Sequence, residues 1–266
     1  MGFSFAVWNV EKFKYLPQRV RAVGQMIANH NPDVIGILEF LDKEAARRLV
    51  RSEHLSDYDF AFTDSVRSIE ILVGWRRGVF DQVLYTQRRE LQVGNIHLRP
   101  GGLLSVLPKQ QDSFTNFLFL HTDSGKDPQA FANRKLMFDK IWSLRERLAA
   151  LPEQGGEARL ITLGDLNTMG QTNESTAAQE IAALEQAALA NGMRVLPKTH
   201  THTWSSDGKR MSNLDHVIAS SELRFKLQDP APAEVLVDGW VNRVGAERIN
   251  FVKNISDHSL LFGELR

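Results

Sequence analysis

Several short, nearly uninterrupted apolar runs in this chain each end on a polar residue. "VIGIL" at 34–38 is followed by Glu39, "FLFL" at 117–120 by His121, and "LITLG" at 160–164 by Asp165. Runs of this length, with Val and Ile among them, are strands covered on both faces, because a half-exposed strand would alternate apolar with polar residues. Such strands need helices to cover them. Pro17 opens a segment with Val20, Val23 and Ile27 at helical spacing, stopped by "NHNPD". Residues 43–55 read as a second helix. Met137, Ile141, Leu144 and Leu148 mark one face of a third, at roughly 130–150, and 175–192 makes a fourth with Gly192 as its stop. "FSFAVWNV" (3–10), "SIEILVGW" (68–75), "FDQVLYT" (80–86), "LLSVL", "LDHVIAS" (214–220) and "SLLFGEL" (259–265) supply further strands, with "RRG" around Gly78 predicted as a hairpin turn. The strand near Val235–Val237 is predicted at an edge.

Strands alternate with helices early and pair later, so the class is α/β with a mixed sheet system and helices outside. No internal repeat and no Gly/Ser- or Pro-rich linker divides the chain, and residues 1–266 read as a single domain. Lys and Arg total 32 against 32 Asp and Glu, so any grip on a polyanion must be local. Cysteine is absent, which removes disulfides, thiolate chemistry and cysteine zinc sites without fixing a compartment. The first ten residues enter a strand pattern at once, without a basic region, a long apolar segment and a cleavage site. A signal peptide is not expected, a cytoplasmic location is, and no transmembrane segment is expected either.

The polar strand ends carry the chemistry. Asn9, Glu39, Asp165, Asn167, Asp257 and His258 each lie at or beside the end of a strand. Carboxylate and amide oxygens are hard ligands suited to Mg²⁺ or Mn²⁺. Water attack on phosphorus also needs a proton acceptor, for which an Asp or His serves. In an extended chain, residues i and i+2 share a side, so Asp165 and Asn167 face one substrate while Leu166 turns back to the core. Gly164 lets backbone or ligand come close. Asp257 and His258 alternate and point differently unless a turn redirects them. Asp215 in "NLDHV" is the candidate to orient His258. Taken singly, each residue has a plain structural use: an Asx-turn or helix cap for Asp165, a helix-start acid for Glu39, a satisfied core-edge histidine for His121. Their joint occurrence points to one centre.

Taken in order, "WNVE", "LEF", "GDLN", "TW" at Thr203–Trp204, "LDHV" and "SDH" resemble the endonuclease/exonuclease/phosphatase superfamily, from Asn9 to His258. The resemblance implies a four-layered α/β sandwich of the DNase I-like kind, two packed mixed β-sheets flanked by helices. It also implies divalent-metal-dependent phosphoester hydrolysis, usually with Mg²⁺. By the resemblance, Glu39 is the principal metal ligand with Asn9 and Asp257 nearby. Asp165 positions or deprotonates the attacking water, and Asn167 binds phosphate. His258, paired with Asp215, acts on the scissile phosphate, and His121 contacts phosphate or assists the leaving oxygen. The tyrosine that apurinic endonucleases carry is missing from "TDSVRSIEILVGW" (63–75), where Arg67 is the candidate phosphate contact. The expected partner is nucleic acid, DNA first, with basic stretches such as "EKFKYLPQRVR" and "TQRRE" available to flanking phosphates. The alternatives are a phosphatase or phosphodiesterase of a small phosphorylated metabolite or lipid head group, and a non-catalytic phosphate-binding module.

Overall fold

The computed structural model describes residues 2–41, 43–66, 70–151, 156–168, 175–230 and 232–266. The described residues form strands β1 (Ser4–Phe13), β2 (Val34–Phe40), β3 (Tyr58–Phe62), β4 (Glu70–Arg76), β5 (Phe80–Arg88), β6 (Gly101–Pro108), β7 (Thr115–His121), β8 (Arg159–Asp165), β9 (Met193–Val195), β10 (Trp204–Ser205), β11 (Met211–Ser212), β12 (Asp215–Ser220), β13 (Leu236–Asp238) and β14 (Leu260–Glu264). The α-helices among the described residues are α1 (Pro17–His30), α2 (Lys43–Val50), α3 (Pro128–Ala149), α4 (Ser175–Ala190) and α5 (Gly245–Asn254). Both α1 and α3 begin with Pro in the first turn, where its missing N–H costs nothing. The Asp127 side chain accepts from Ala130 N to cap α3.

One six-stranded sheet runs β13-β14-β1-β2-β4-β3 and the other β5-β6-β7-β8-β12-β9. Each contains one parallel pair, β1 with β2 and β7 with β8, bridged by α1 and α3 respectively. The remaining pairs are antiparallel. Alternation along the strands builds three cores. In β7, Phe117 and Phe119 enter the space between the sheets, where they meet Phe5, Val7, Leu38, Val73, Ile161 and Val217. The intervening Leu118 and Leu120 pack outward with Phe138, Ile141 and Trp142 of α3 and Leu184 of α4. On the other sheet, Trp8, Ile35 and Ile37 face Val23 and Ile27 of α1 and Leu49 of α2. Helix, sheet, sheet, helix: the four-layered α/β sandwich is present. Among the described residues no helix is long and apolar enough to cross a membrane.

Two expectations need correction. The turn at Gly78 does not close a hairpin, since β4 and β5 lie in different sheets. Ile71 and Val73 of β4 and Phe80 of β5 all enter the same central core, so the chain crosses between layers instead of folding back within one. The helix predicted over 43–55 ends at Val50, and a separate 3₁₀ turn spans Glu53–Leu55. The strand at Leu236–Asp238 is at a sheet edge, as expected.

Gly36 of β2 faces the opposite sheet so closely that a Cβ there would sit 2.0 Å from Phe119 Cδ1. Overpacking of this kind costs about 1–3 kcal/mol. Gly36→Ala is therefore expected to lower the unfolding free energy by that amount, seen in urea unfolding as a lower midpoint at unchanged slope.

Candidate active site

Alternation also places the polar strand ends. Residues 5 and 7 of β1, 117 and 119 of β7, 161 and 163 of β8, and 217 and 219 of β12 face the central core. Extending each series by one step of two reaches Asn9, His121, Asp165 and Asp215, which emerge where the two sheets part. The register agrees: His121 lies opposite Asp165 across β7 and β8, and Asp215 lies opposite Asp165 across β12 and β8. Three neighbouring strands thus present three functional side chains in one row. All four residues are at most 2% exposed.

Glu39 breaks this parity. It follows Leu38, so regular alternation would turn it toward α1. Instead its φ is 67°, the left-handed region, and the pairing of β2 with β4 shifts register between Leu38 and Phe40. The bulge swings the carboxylate into the cleft. A matching irregularity in β1 puts Glu11 and Lys12 at φ 46° and 44°. There Lys12 N donates to Glu39 Oε2 at 2.9 Å, and Glu11 N donates to Asn9 Oδ1 at 2.9 Å. Non-glycine residues held left-handed on both strands at one place are strained backbone concentrated at a functional site.

The cluster is tightly joined. Asn9 Nδ2 donates to Glu39 Oε1 at 3.1 Å and to Asp165 Oδ2 at 3.0 Å. His121 Nε2 stands 3.6 Å from Glu39 Oε1 and 3.5 Å from Asp165 Oδ2. Asp165 Oδ1 accepts from Asn167 N at 3.1 Å, and Asn167 is itself left-handed at φ 46°. That turn keeps both residues on the cleft while Leu166 enters the α3–α4 core, as the spacing predicted. Gly164, at φ 144°, admits the backbone of β7: a Cβ would lie 1.9 Å from Leu120 O.

His258 Nδ1 meets Asp215 Oδ2 at 2.8 Å, the pairing expected, and its Nε2 points toward Asp165 Oδ2 at 3.7 Å. A bend at Asp257 lets both residues of "DH" reach the cleft. Trp204 Nε1 donates to Asp257 Oδ2 at 2.7 Å. Behind Asp215, Thr203 Oγ1 accepts from the backbone N–H groups of Leu214 and Asp215, and Lys198 Nζ donates to Asn213 Oδ1 and to Asp215 O. The cleft encloses about 320 Å³, and Glu11, Lys12, Ser124 and Lys126 also line it. In the sequence Lys12 fell in the basic stretch "EKFKYLPQRVR" and Glu11 in "WNVE", neither with a place in the site, and Ser124 and Lys126 were not singled out. Glu11 carried a signal, the same i, i+2 spacing from Asn9 that links Asp165 to Asn167. Arg67 lies outside the described residues.

The sequence matches the endonuclease/exonuclease/phosphatase family over residues 6–258, a span that includes every one of these side chains. The chain belongs to that family. Comparison with curated proteins gives no match. Among solved structures, TDP2 from Caenorhabditis elegans superposes with a TM-score of 0.70 at 16% identity, over 100% of this chain and 74% of that one. The D. rerio TDP2 complexed with single strand DNA product gives 0.67 at 14% identity, over 100% and 99%. The mannosyl-6-phosphatase from Bacteroides thetaiotaomicron gives 0.67 at 15% identity, over 99% and 99%. At these identities the likeness establishes the fold.

Electrostatics show what this member of the endonuclease/exonuclease/phosphatase family is built to hold. Burial, with the charges of Asp215 and Glu39 added, pushes Asp165 up to about 7 against the opposing pull of His258. Burial raises Asp257 as well, and Glu11 likewise, helped by the Asp257 charge. Burial opposes a charge on His258, but Asp215 and Asp165 outweigh it and hold the imidazole well above its ordinary value. His121 moves the other way, pushed well down by burial and then by Arg99 and His258, so it is neutral. The acids therefore outnumber the cations available to them. Glu39, His121 and Asp165 form one group with ligand atoms within 4.8 Å of one another, and Asp165, Asp215 and His258 form a second. Asp257 Oδ1 is buried with no hydrogen-bond partner. Crowded, incompletely satisfied carboxylates beside imidazoles fit a divalent cation. The site is that of a metal-dependent phosphoesterase, with Glu39, Asp165, Asp215 and Asp257 all in place.

Proposed function

We propose that the protein is a Mg²⁺-dependent phosphodiester hydrolase, also served by Mn²⁺, that cleaves nucleic acid, DNA first, by water attack on phosphorus. The observation that carries the reading is the pair of ligand groups sharing Asp165 at the base of an open cleft. Glu39 and Asp257, with Asn9 beside them, would hold the cation. Bound there, it would cancel negative charge building on the phosphoryl oxygens and polarise the phosphorus centre.

The chain's own groups supply the rest. Asp165 accepts a proton from the attacking water, which Asn167 helps to hold. The Asn167 amide donates to Thr122 O at 3.3 Å and keeps its second N–H for a phosphoryl oxygen. A carboxyl group with a value near neutrality is suited to proton transfer at neutral pH. Asp215 takes the Nδ1–H of His258 and so presents Nε2–H to the phosphate, where the imidazolium stabilises the developing charge. Neutral His121 supports the phosphate or the leaving oxygen. A phosphate contact from Arg67 belongs to the same proposal.

Lys12 and Lys126 favour a substrate with flanking phosphates. Both line the cleft, and neither makes an ion pair among the described residues. Lysines on an otherwise acidic cleft give the local grip that a chain of zero net charge needs. The likeness to a TDP2 holding single strand DNA product points the same way. The likeness to a mannosyl-6-phosphatase keeps a second reading, a phosphatase or phosphodiesterase of a small phosphorylated metabolite or lipid head group. Treatment of residues 1–266 as a single domain, with the site drawn from both sheets, and a cytoplasmic location complete the proposal.

Supercoiled plasmid, single-stranded DNA, RNA, a sugar phosphate and a generic phosphodiester decide between the two. Plasmid nicking is expected with Mg²⁺ or Mn²⁺, lost with chelator and recovered on re-addition of the ion. Turnover restricted to the sugar phosphate would replace the nuclease reading with the second one.

A further inference from the structure

We infer that Lys198 is a positioning residue for hydrolysis, holding Asp215, and through it His258, in working geometry. The inference rests on the His258–Asp215 pair serving the reaction. It adds a residue outside the cleft, 17 positions upstream of Asp215, that no motif marks.

Lys198 lies in the segment between β9 and β10, which is anchored independently of the site. Its backbone bridges to Val235, Thr199 N donates to Val235 O, and Glu234 and Val235 donate to Pro197 O. From this support the side chain reaches β12. Nζ donates to Asn213 Oδ1 at 2.5 Å and to Asp215 O at 2.5 Å, so it clamps the two residues that bracket Leu214 where β12 begins. Thr203 Oγ1 holds the same place from the other side through Leu214 N and Asp215 N. Asp215 therefore has its N–H and its C=O fixed by two side chains of the β9–β10 connection, Thr203 and Lys198, before its carboxylate meets His258. Both bonds from Nζ are donor bonds, which the amine and the ammonium can each supply.

The geometry has a functional reason. His258 Nδ1 and Asp215 Oδ2 are 2.8 Å apart, a contact that a shift of a few tenths of an ångström in β12 would weaken. Asp215 sits opposite Asp165, a like-charged neighbour that pushes it outward. The clamp resists that displacement. Among the described residues Lys198 makes no ion pair with a carboxylate, so its donors serve β12.

The test uses Lys198→Met, which keeps side-chain length and removes the donors, with Lys198→Gln, which retains one donor group, as a second variant should the first not fold. Two measurements are made on folded protein: kcat and KM on a generic phosphodiester with Mg²⁺, and the His258 Nδ1–H resonance of protein labelled with ¹⁵N-histidine, assigned by its loss in His258→Gln. We expect kcat to fall about 10–100-fold with KM within about twofold, the range for residues that orient a reactive group. The His258 signal should move or broaden. A folded variant with an unmoved His258 resonance and unchanged kcat overturns the inference, as does a fall in rate fully explained by lost folded protein. The resonance is read without substrate, so a failure of the nuclease reading leaves this test intact.

Discussion

Asp165→Asn is expected to lower kcat by about 10³-fold or more while raising the thermal midpoint of the metal-free protein. The loss of rate follows from removing the proton acceptor and an oxygen shared by both ligand groups. The gain in stability follows from the cost of burying the acid. Asp165 is 2% exposed and raised from 3.8 to about 7, so between those values the folded state holds a proton that the unfolded state has released. Its contribution is thus most favourable below about pH 4 and is lost as pH rises through about 7. An amide carries no such penalty. His258 loses an anionic neighbour in the variant, which returns part of the gain. The net effect at pH 8 in chelator is on the order of 1 kcal/mol, or about 2–4 °C. Scans at pH 5 and pH 8 check the sign: the variant should gain at the higher pH and little at the lower. With saturating Mg²⁺ the wild type should recover or exceed the variant, because the cation binds the folded state. Residual activity within tenfold of wild type, or no gain in chelator, would sink this account of Asp165.

Asp215→Asn is expected to cost about 10²–10⁴-fold in kcat with KM little altered. Asparagine can still accept from Nδ1, but the charge that holds His258 protonated is gone. The alkaline limb of the pH–rate profile should accordingly move to lower pH. Stability carries its own signature. A raised imidazole contributes stability that is complete below its unfolded value and lost as pH rises through its folded one. The variant should therefore be destabilised most below about pH 6.5 and progressively less as pH rises through the raised value of His258. Asp165→Asn, shifting with pH in the same direction, instead goes from little change to a net gain. Parallel profiles for variant and wild type would argue that Asp215 serves packing alone.

Much of this site is written in one-dimensional pattern. Val7, Phe119, Leu163 and Val217 are two residues from Asn9, His121, Asp165 and Asp215, and burial of one dictates the direction of the next. The short Val- and Ile-containing runs marked sheets covered on both faces, which leaves few architectures other than stacked layers. The spacing of "GDLN" marked Asp165 and Asn167 for one side, although the chain brings them there through a left-handed turn at Asn167 instead of an extended step.

Other features depended on contacts between distant segments. The turn after β4 has the composition of a hairpin, yet the two strands join opposite sheets, because both can bury apolar side chains in the central core and only the packed whole selects the partner. Glu39 stands out of parity, turned by a left-handed backbone, and its redirected carboxylate is held by Lys12 N, 27 residues away in sequence. Nor could Lys198 be linked to Asp215, since its role rests on an anchor at Val235. The sequence by itself determined the strands, their buried faces and the acids and imidazoles at their ends, all consequences of local periodicity and side-chain chemistry. Tertiary structure alone decided which sheet each strand joined, and where bulges and long-range hydrogen bonds turned Glu39, Glu11 and Lys12 into the cleft. Such strained conformations persist only when many separate contacts over-determine them.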